Sequence, residues 1–300
     1  MNPLRALALA LAVLCLGACA ARKPRGEPAP TPPAPAARVD PVPHETSLPQ
    51  SQRYKQTRDS EPEVPTVDVS TLVEPVPRVE PRARYGNKSP YSVLGRTYSV
   101  LPDASGYLER GIASWYGKKF HGYMTSSLEP YDMYQFSAAH KSLPLPSWAR
   151  VTNLDNGKSV IVRVNDRGPF HENRLIDLSY AAAVRIGIWP RGTGLVEVRV
   201  IDAAHPAEEP AGPDAVTSKS AGARIYLQLG AFGDRDNAER VLAQIDRARL
   251  GTASIQTTAV DGRPIHRVRL GPLASVEVAD SLTTRVEQLG LGTPRVAIEE

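Results

Sequence analysis

Between residues 88 and 203 apolar side chains recur at period two. Val160, Val162 and Val164 alternate with Ile161, Arg163 and Asn165, so that one face of the segment packs inward. Residues 150–154 precede it, and Asp155-Asn156-Gly157 lies between the two runs. An Asn-Gly pair tolerates the positive φ of a tight turn, which predicts a hairpin. Residues 112–116 and the alternation of Val196, Val198 and Val200 predict further strands. Ser179 is placed to cap a short helix carrying Ala182, Val184 and Ile186, and Gly187 to end it. A small β-barrel with one or two helices fits this pattern.

Past residue 222 the period switches back and forth. Ile225, Leu227 and Leu229 alternate with Tyr226 and Gln228, whereas Ala238, Val241, Leu242 and Ile245 keep helical spacing. Asp261-Gly262 turns a hairpin into residues 265–270, Leu282, Val286 and Leu289 mark a second helix, and residues 296–298 a last strand. The order strand, helix, strand, strand, helix, strand predicts a split βαβ sheet over residues 223–300. With both helices on one face, Tyr226, Gln228, Arg267 and Arg269 are expected to project from the other.

Composition separates these blocks from what surrounds them. Of 28 prolines, 15 fall between residues 20 and 90, and residues 20–87 have too little apolar periodicity to offset the entropy of ordering. They are expected to form a disordered tether, at most about 220 Å long at the polyproline rise. Residues 204–222, with Pro206, Pro210 and Pro213, read as a linker. The N-terminus carries Arg5, an apolar run over residues 7–16 and then small residues, the layout of a signal peptide over residues 1–19 and too short for a permanent span. Its end, Leu16-Gly17-Ala18-Cys19, resembles the bacterial lipobox, which implies lipidation of Cys19 and a membrane anchor. Cys15 would leave with the signal, so no intramolecular disulfide is expected. Ala20 in the next position implies, by the Gram-negative sorting rule, an outer-membrane lipoprotein facing the periplasm. A net charge of +4 lacks the strongly basic balance of a nucleic-acid binder, and no nucleic-acid partner is expected.

The central block carries Gly111-Ile112-Ala113-Ser114-Trp115-Tyr116-Gly117, Phe120-His121-Gly122, Ser137-Ala138-Ala139-His140, Val151-Thr152-Asn153-Leu154, Val162-Arg163-Val164-Asn165-Asp166-Arg167-Gly168-Pro169-Phe170 and Ile176-Asp177-Leu178-Ser179. In this order the motifs closely resemble the rare lipoprotein A family of the bacterial septal wall. The resemblance implies a double-psi β-barrel acting as a lytic transglycosylase, a lyase of peptidoglycan glycan strands, with Glu129, His140 and Asp166 as its implicated residues. Two positions depart from the family pattern: Leu128 stands where a glycine precedes the glutamate, and Ser137 where a threonine is usual.

Hydrolysis of a glycosidic bond ordinarily takes two carboxyl groups. A lytic transglycosylase uses no water, because the sugar's own 6-hydroxyl attacks its anomeric carbon. One carboxyl can therefore first give a proton and then take one. Asp166 is expected in that double role, with His140 holding its proton or the substrate, and Glu129 tuning charge or orienting sugar. Arg167 beside it would lower the pKa of Asp166 on contact, but consecutive side chains of an extended segment face opposite ways. Of Tyr116, Tyr123, Tyr131, Tyr134 and Trp148, about half are expected to pack and the rest to offer faces to sugar rings. His121, His140 and His171 lack ligand spacing, so no metal and no cofactor are expected.

The last block, through Leu227-Gln228-Leu229-Gly230-Ala231-Phe232 and Arg267-Val268-Arg269-Leu270-Gly271-Pro272, resembles the SPOR domain, with His266 and Leu273 in place of the usual Tyr and Phe. The resemblance implies binding to septal peptidoglycan whose strands have lost their stem peptides, hence action after amidases and enrichment at the division septum. Peptide removal bares the lactyl carboxylate of muramic acid, which Arg267 and Arg269 could grip bidentately. An alternative use of the same barrel is a non-catalytic, expansin-like glycan binder.

Overall fold

The computed structural model describes residues 54–205 and 224–299, apart from Thr57, residues 64–66 and Glu172. The expected signal peptide with Cys19, the tether up to residue 53 and linker residues 206–222 lie outside the described residues.

Six strands close a barrel: β3 (Leu108–Tyr116), β4 (Ser137–His140), β5 (Ser147–Asn153), β6 (Ser159–Asp166), β7 (Arg174–Ser179) and β8 (Gly194–Val200), in the order β3-β7-β4-β6-β5-β8. The pairs β3–β7 and β4–β6 are parallel and the others antiparallel. This is the expected double-psi barrel. The hairpin β5–β6 forms with Val151 opposite Val160, and Gly157 takes φ +71° in its turn. Val160, Val162, Val164, Val196 and Val198 are all fully buried, so the period-two faces point inward as expected. Helix α1 (Tyr180–Arg185) is capped by Ser179, whose hydroxyl accepts from the Ala182 amide, and Gly187 follows at φ +74°.

A correction concerns the tether. Between Tyr54 and Asn87 the described residues lie along the barrel, with Val69 buried in its core and the rest held mainly through single backbone and side-chain groups. Asp59 accepts from the Gly117 and Lys119 amides, Glu74 from the Ile161 amide, and the Arg78 carbonyl from the Trp148 indole. Ala83 donates its amide to the Leu145 carbonyl (2.8 Å), and the Asn87 side chain bonds the Leu145 amide and carbonyl. This strap runs into a hairpin outside the barrel, β1 (Tyr91–Val93) and β2 (Arg96–Tyr98).

The C-terminal module has the expected order: β9 (Arg224–Phe232), α2 (Arg235–Arg247), β10 (Ala253–Val260), β11 (Arg263–Leu273), α3 (Val276–Gln288) and β12 (Arg295–Glu299), with sheet order β10-β11-β9-β12. Ile225, Leu227, Val268 and Leu270 pack with Ala238, Ile245, Ala279 and Val286 of the two helices. Arg174 of the barrel pairs with Asp280 of α3 through both carboxylate oxygens (3.1 and 2.5 Å), and Asn173 donates to the Thr283 hydroxyl (2.7 Å).

Candidate active site

A cavity of about 730 Å³ opens beside the barrel where β4, β6 and β7 meet the strap and the outer hairpin. Asp166, Asp177, Ala139 and Tyr116 come from the barrel, Ser126 and Leu128 from the loop before β4, and Lys88 and Tyr91 from the strap and hairpin.

Asp166 ends β6 half-buried. Its Oδ1 accepts three hydrogen bonds, from the Ser126 amide (2.8 Å), the Ser126 hydroxyl (2.6 Å) and the Arg167 amide (2.7 Å). Burial raises its pKa above the usual aspartate value, against the pull of those three donors. Arg167 does not pair with this carboxylate. Its buried guanidinium is used up by the Gly86, His140 and Leu143 carbonyls (2.7, 3.1 and 2.5 Å) and by Asn87 Oδ1 (3.2 Å). The Arg167 charge still lowers the Asp166 pKa from nearby, but burial outweighs it.

Glu129 lies outside that cavity. Arg163 grips both its oxygens (2.5 and 3.0 Å) and Asn165 donates to Oε2 (2.9 Å), while the same arginine holds Glu80 of the strap. Burial would raise the Glu129 pKa, but the hydrogen bonds from Arg163 and Asn165 outweigh it and bring it below the ordinary range. It is a fixed anion. Its backbone closes the loop, with the Thr125 amide donating to the Glu129 carbonyl (2.8 Å), and that loop carries Ser126 to Asp166. Leu128, at the family's glycine position, sits at φ +63°.

His140 is 2% exposed and does not face the cavity. Its Nδ1 accepts the Ser142 and Leu143 amides (3.2 and 3.0 Å), which leaves the proton on Nε2 for the Tyr107 hydroxyl (3.0 Å); that hydroxyl donates in turn to Glu109 (2.6 Å). Burial lowers its pKa to about 3, so it is neutral. The arrangement gives His140 the turn that delivers its own carbonyl to Arg167, not contact with a proton of Asp166.

The expected sugar platforms divide unevenly. Tyr123, Tyr131 and Trp148 are buried in packing, and of the five only Tyr116 lines the cavity. The other aromatic rings at the cavity come from elsewhere: Tyr91, with Arg167 over its ring, stacks on Tyr98 with centroids 5.5 Å apart, and Phe170 meets both. Sequence reasoning missed Tyr91, Ser126 and Asp177. Asp177 stood inside a recognised motif, but only closure of the barrel brings it to the same cavity as Asp166.

On the C-terminal sheet Gln228, Arg267 and Arg269 lie half-buried on the face away from the helices. Arg269 is paired with Glu299, and Arg267 donates to the Thr258 hydroxyl. Tyr226, expected to project with them, is instead 8% exposed. A β-carbon at Gly271, which has φ +141°, would come within 2.9 Å of the Tyr226 ring, so the glycine lets the backbone close over it.

The family model for the lytic transglycolase double-psi barrel matches residues 108–200, and that for the SPOR domain residues 221–293. The barrel with its carboxylate-lined cavity and the following sheet thus define a two-module protein of the lytic transglycosylase class. The endolytic peptidoglycan transglycosylase RlpA of Pseudomonas aeruginosa is 38% identical over 278 residues, 76% of this chain and 81% of its own, and that of Vibrio cholerae 38% over 238 residues, 79% and 86%. The solved SPOR domain of the Pseudomonas aeruginosa protein is 30% identical over 24% of this chain and 96% of its own, with a TM-score of 0.24. The chain belongs to the RlpA family of endolytic peptidoglycan transglycosylases.

Proposed function

We propose that this chain is an outer-membrane lipoprotein, anchored through Cys19, that cleaves the bond between muramic acid and glucosamine units of peptide-stripped strands at the division septum, leaving 1,6-anhydro ends. The observation that carries the reading is the carboxyl of Asp166, held on one oxygen by three donors at the side of a cavity large enough for sugar rings. Phe170 and Phe120 put aromatic surface on the cavity wall against which such rings could pack. Lys88 at the exposed rim would meet a lactyl carboxylate that amidases had bared. Gln228, Arg267 and Arg269 of the SPOR sheet would hold the strand elsewhere along its length.

The test is mass spectrometry of peptide-stripped glycan after incubation with the chain from residue 54 onward, which keeps the strap. New strand ends in 1,6-anhydro form, absent with Asp166→Asn, support the reading. Strands that co-sediment with the protein but stay intact would instead make it a glycan-binding protein of the expansin kind.

A further inference from the structure

Asp177 is a second carboxyl in the same cavity, and nothing in the assignment of Asp166, His140 and Glu129 uses it. Ala139 of β4 pairs with Asp166 of β6 on one side and with Asp177 of β7 on the other. Residues in register across a sheet share a face, so both acids point to the side that lines the cavity. Their Cα atoms are two strand spacings apart, about 10 Å, with the small Ala139 side chain between them. Tyr116 lines the cavity with them, its hydroxyl buried.

The two environments are unequal. Asp166 Oδ1 has three donors, two of them backbone amides, whereas the hydrogen bond to Asp177 Oδ1 comes from a single neutral hydroxyl, that of Ser114. The charges facing Asp177 are Arg174 of its own strand, Lys141 after β4 and Asp59 of the strap. Burial outweighs the Ser114 hydrogen bond and the Arg174 and Lys141 charges, and with Asp59 it pushes this carboxyl up to about 6. Burial raises both carboxyls, but the shift is large only at Asp177, which makes Asp177 the better acid and Asp166 the better base of the two.

We infer that Asp177 is the catalytic acid and Asp166 the base of the cleavage. The inference rests on the glycan-cleaving reading above. Asp177 gives its proton to the glycosidic oxygen as the bond from that oxygen to C1 of muramic acid breaks. The 6-hydroxyl oxygen of the same sugar bonds to C1, and its proton passes to the Asp166 carboxylate. The strand becomes two pieces whose atoms sum to the original, with no water consumed, and proton exchange with solvent returns Asp166 to its anion and Asp177 to its acid.

Asp177→Asn is the variant to make, because an amide oxygen still accepts the Ser114 hydroxyl. On stripped strands the rate is expected to fall on the order of 10² to 10⁴-fold, with strand binding unchanged. The limb of the wild-type pH profile that falls as pH rises through the range of Asp177 disappears in the variant. A muramic acid oligomer with an aryl leaving group, which needs little protonation, is cleaved by Asp177→Asn far better than stripped strand, but not by Asp166→Asn. Wild-type turnover of stripped strands by Asp177→Asn overturns the inference, and so does a reduced rate with an unaltered pH profile, which marks a merely positioning residue. If the unaltered chain makes no anhydro ends, the glycan-cleaving reading fails first and the role of Asp177 with it.

Discussion

Leu128 holds a left-handed backbone at φ +63° with a side chain 47% exposed. That conformation costs an L-residue about 1–2 kcal/mol. The strain falls in the loop that delivers Ser126 to Asp166. Leu128→Gly is therefore expected to stabilise the protein by about 0.5–1 kcal/mol after the added entropy of the unfolded chain, measured by denaturant unfolding, with activity retained. Asp177 makes a second prediction, free of any assumption about the reaction. Its folded pKa, about 6, lies above the ordinary value of 3.8, so its contribution to stability is full below pH 3.8 and lost as pH rises through 6. Asp177→Asn removes that loss. Relative to wild type the variant gains stability between pH 4 and 7, by up to about 3 kcal/mol at 1.36 kcal/mol per pKa unit. His140, with its folded pKa lowered to about 3, acts in the opposite sense, destabilising the fold as pH falls below 6.5. It is common to both proteins and cancels in their difference, read from melting curves across the pH range. At this scale the dense motif around Asp166 singles that residue out, and the structure sets it beside the cavity. That His140 lies away from the cavity and Asp177 beside it could not be read, since solvent access depends on which strands the closed barrel sets side by side.

Among elements, the hairpin β5–β6, the capped helix α1 and the strand and helix order of the last module were all readable, because each is built on a periodic face and a turn or cap residue. The strap was not. Residues 54–87 bury few apolar side chains, and what holds them is a series of single hydrogen bonds to the barrel, which leaves no periodicity to read. Proline suits such a segment, since its backbone donors have few partners to find. The strap nonetheless reaches the site: the Gly86 carbonyl and the Asn87 side chain hold the buried Arg167, and Glu80 holds the Arg163 that fixes Glu129. A chain beginning at residue 88 loses all three partners. Hydrogen bonds to a charged group contribute about 1.5–3 kcal/mol each, so this chain is expected to be several kcal/mol less stable than one beginning at residue 54, and to cleave poorly. Thermal unfolding and product analysis of the two lengths side by side make the comparison. Equal stability and equal turnover would show the strap to be ornamental.

At the scale of the whole molecule the question is what the C-terminal module does for the barrel. Arg174, 9% exposed on its side chain, spends its guanidinium on Asp280 of α3, and Ile112 and Leu195 of the barrel are buried among side chains of the SPOR core. Removing residues 223–300 uncovers those apolar groups and leaves a largely buried cation without its partner, a loss of the kind that costs a few kcal/mol. The cavity itself draws none of its lining from residues beyond 177, so the shortened chain is expected to melt earlier yet still cut stripped strands in vitro. Its position in the cell should change more than its chemistry. A fluorescent fusion of the full chain should collect at division sites and the shortened one should spread around the envelope. Arg267→Ala with Arg269→Ala in the full chain should reproduce the spreading with a smaller loss of thermal stability. Septal accumulation of the shortened fusion would place the targeting signal in the barrel or the N-terminal segment, and spreading of both shortened and doubly substituted chains would place it on the open face of the C-terminal sheet.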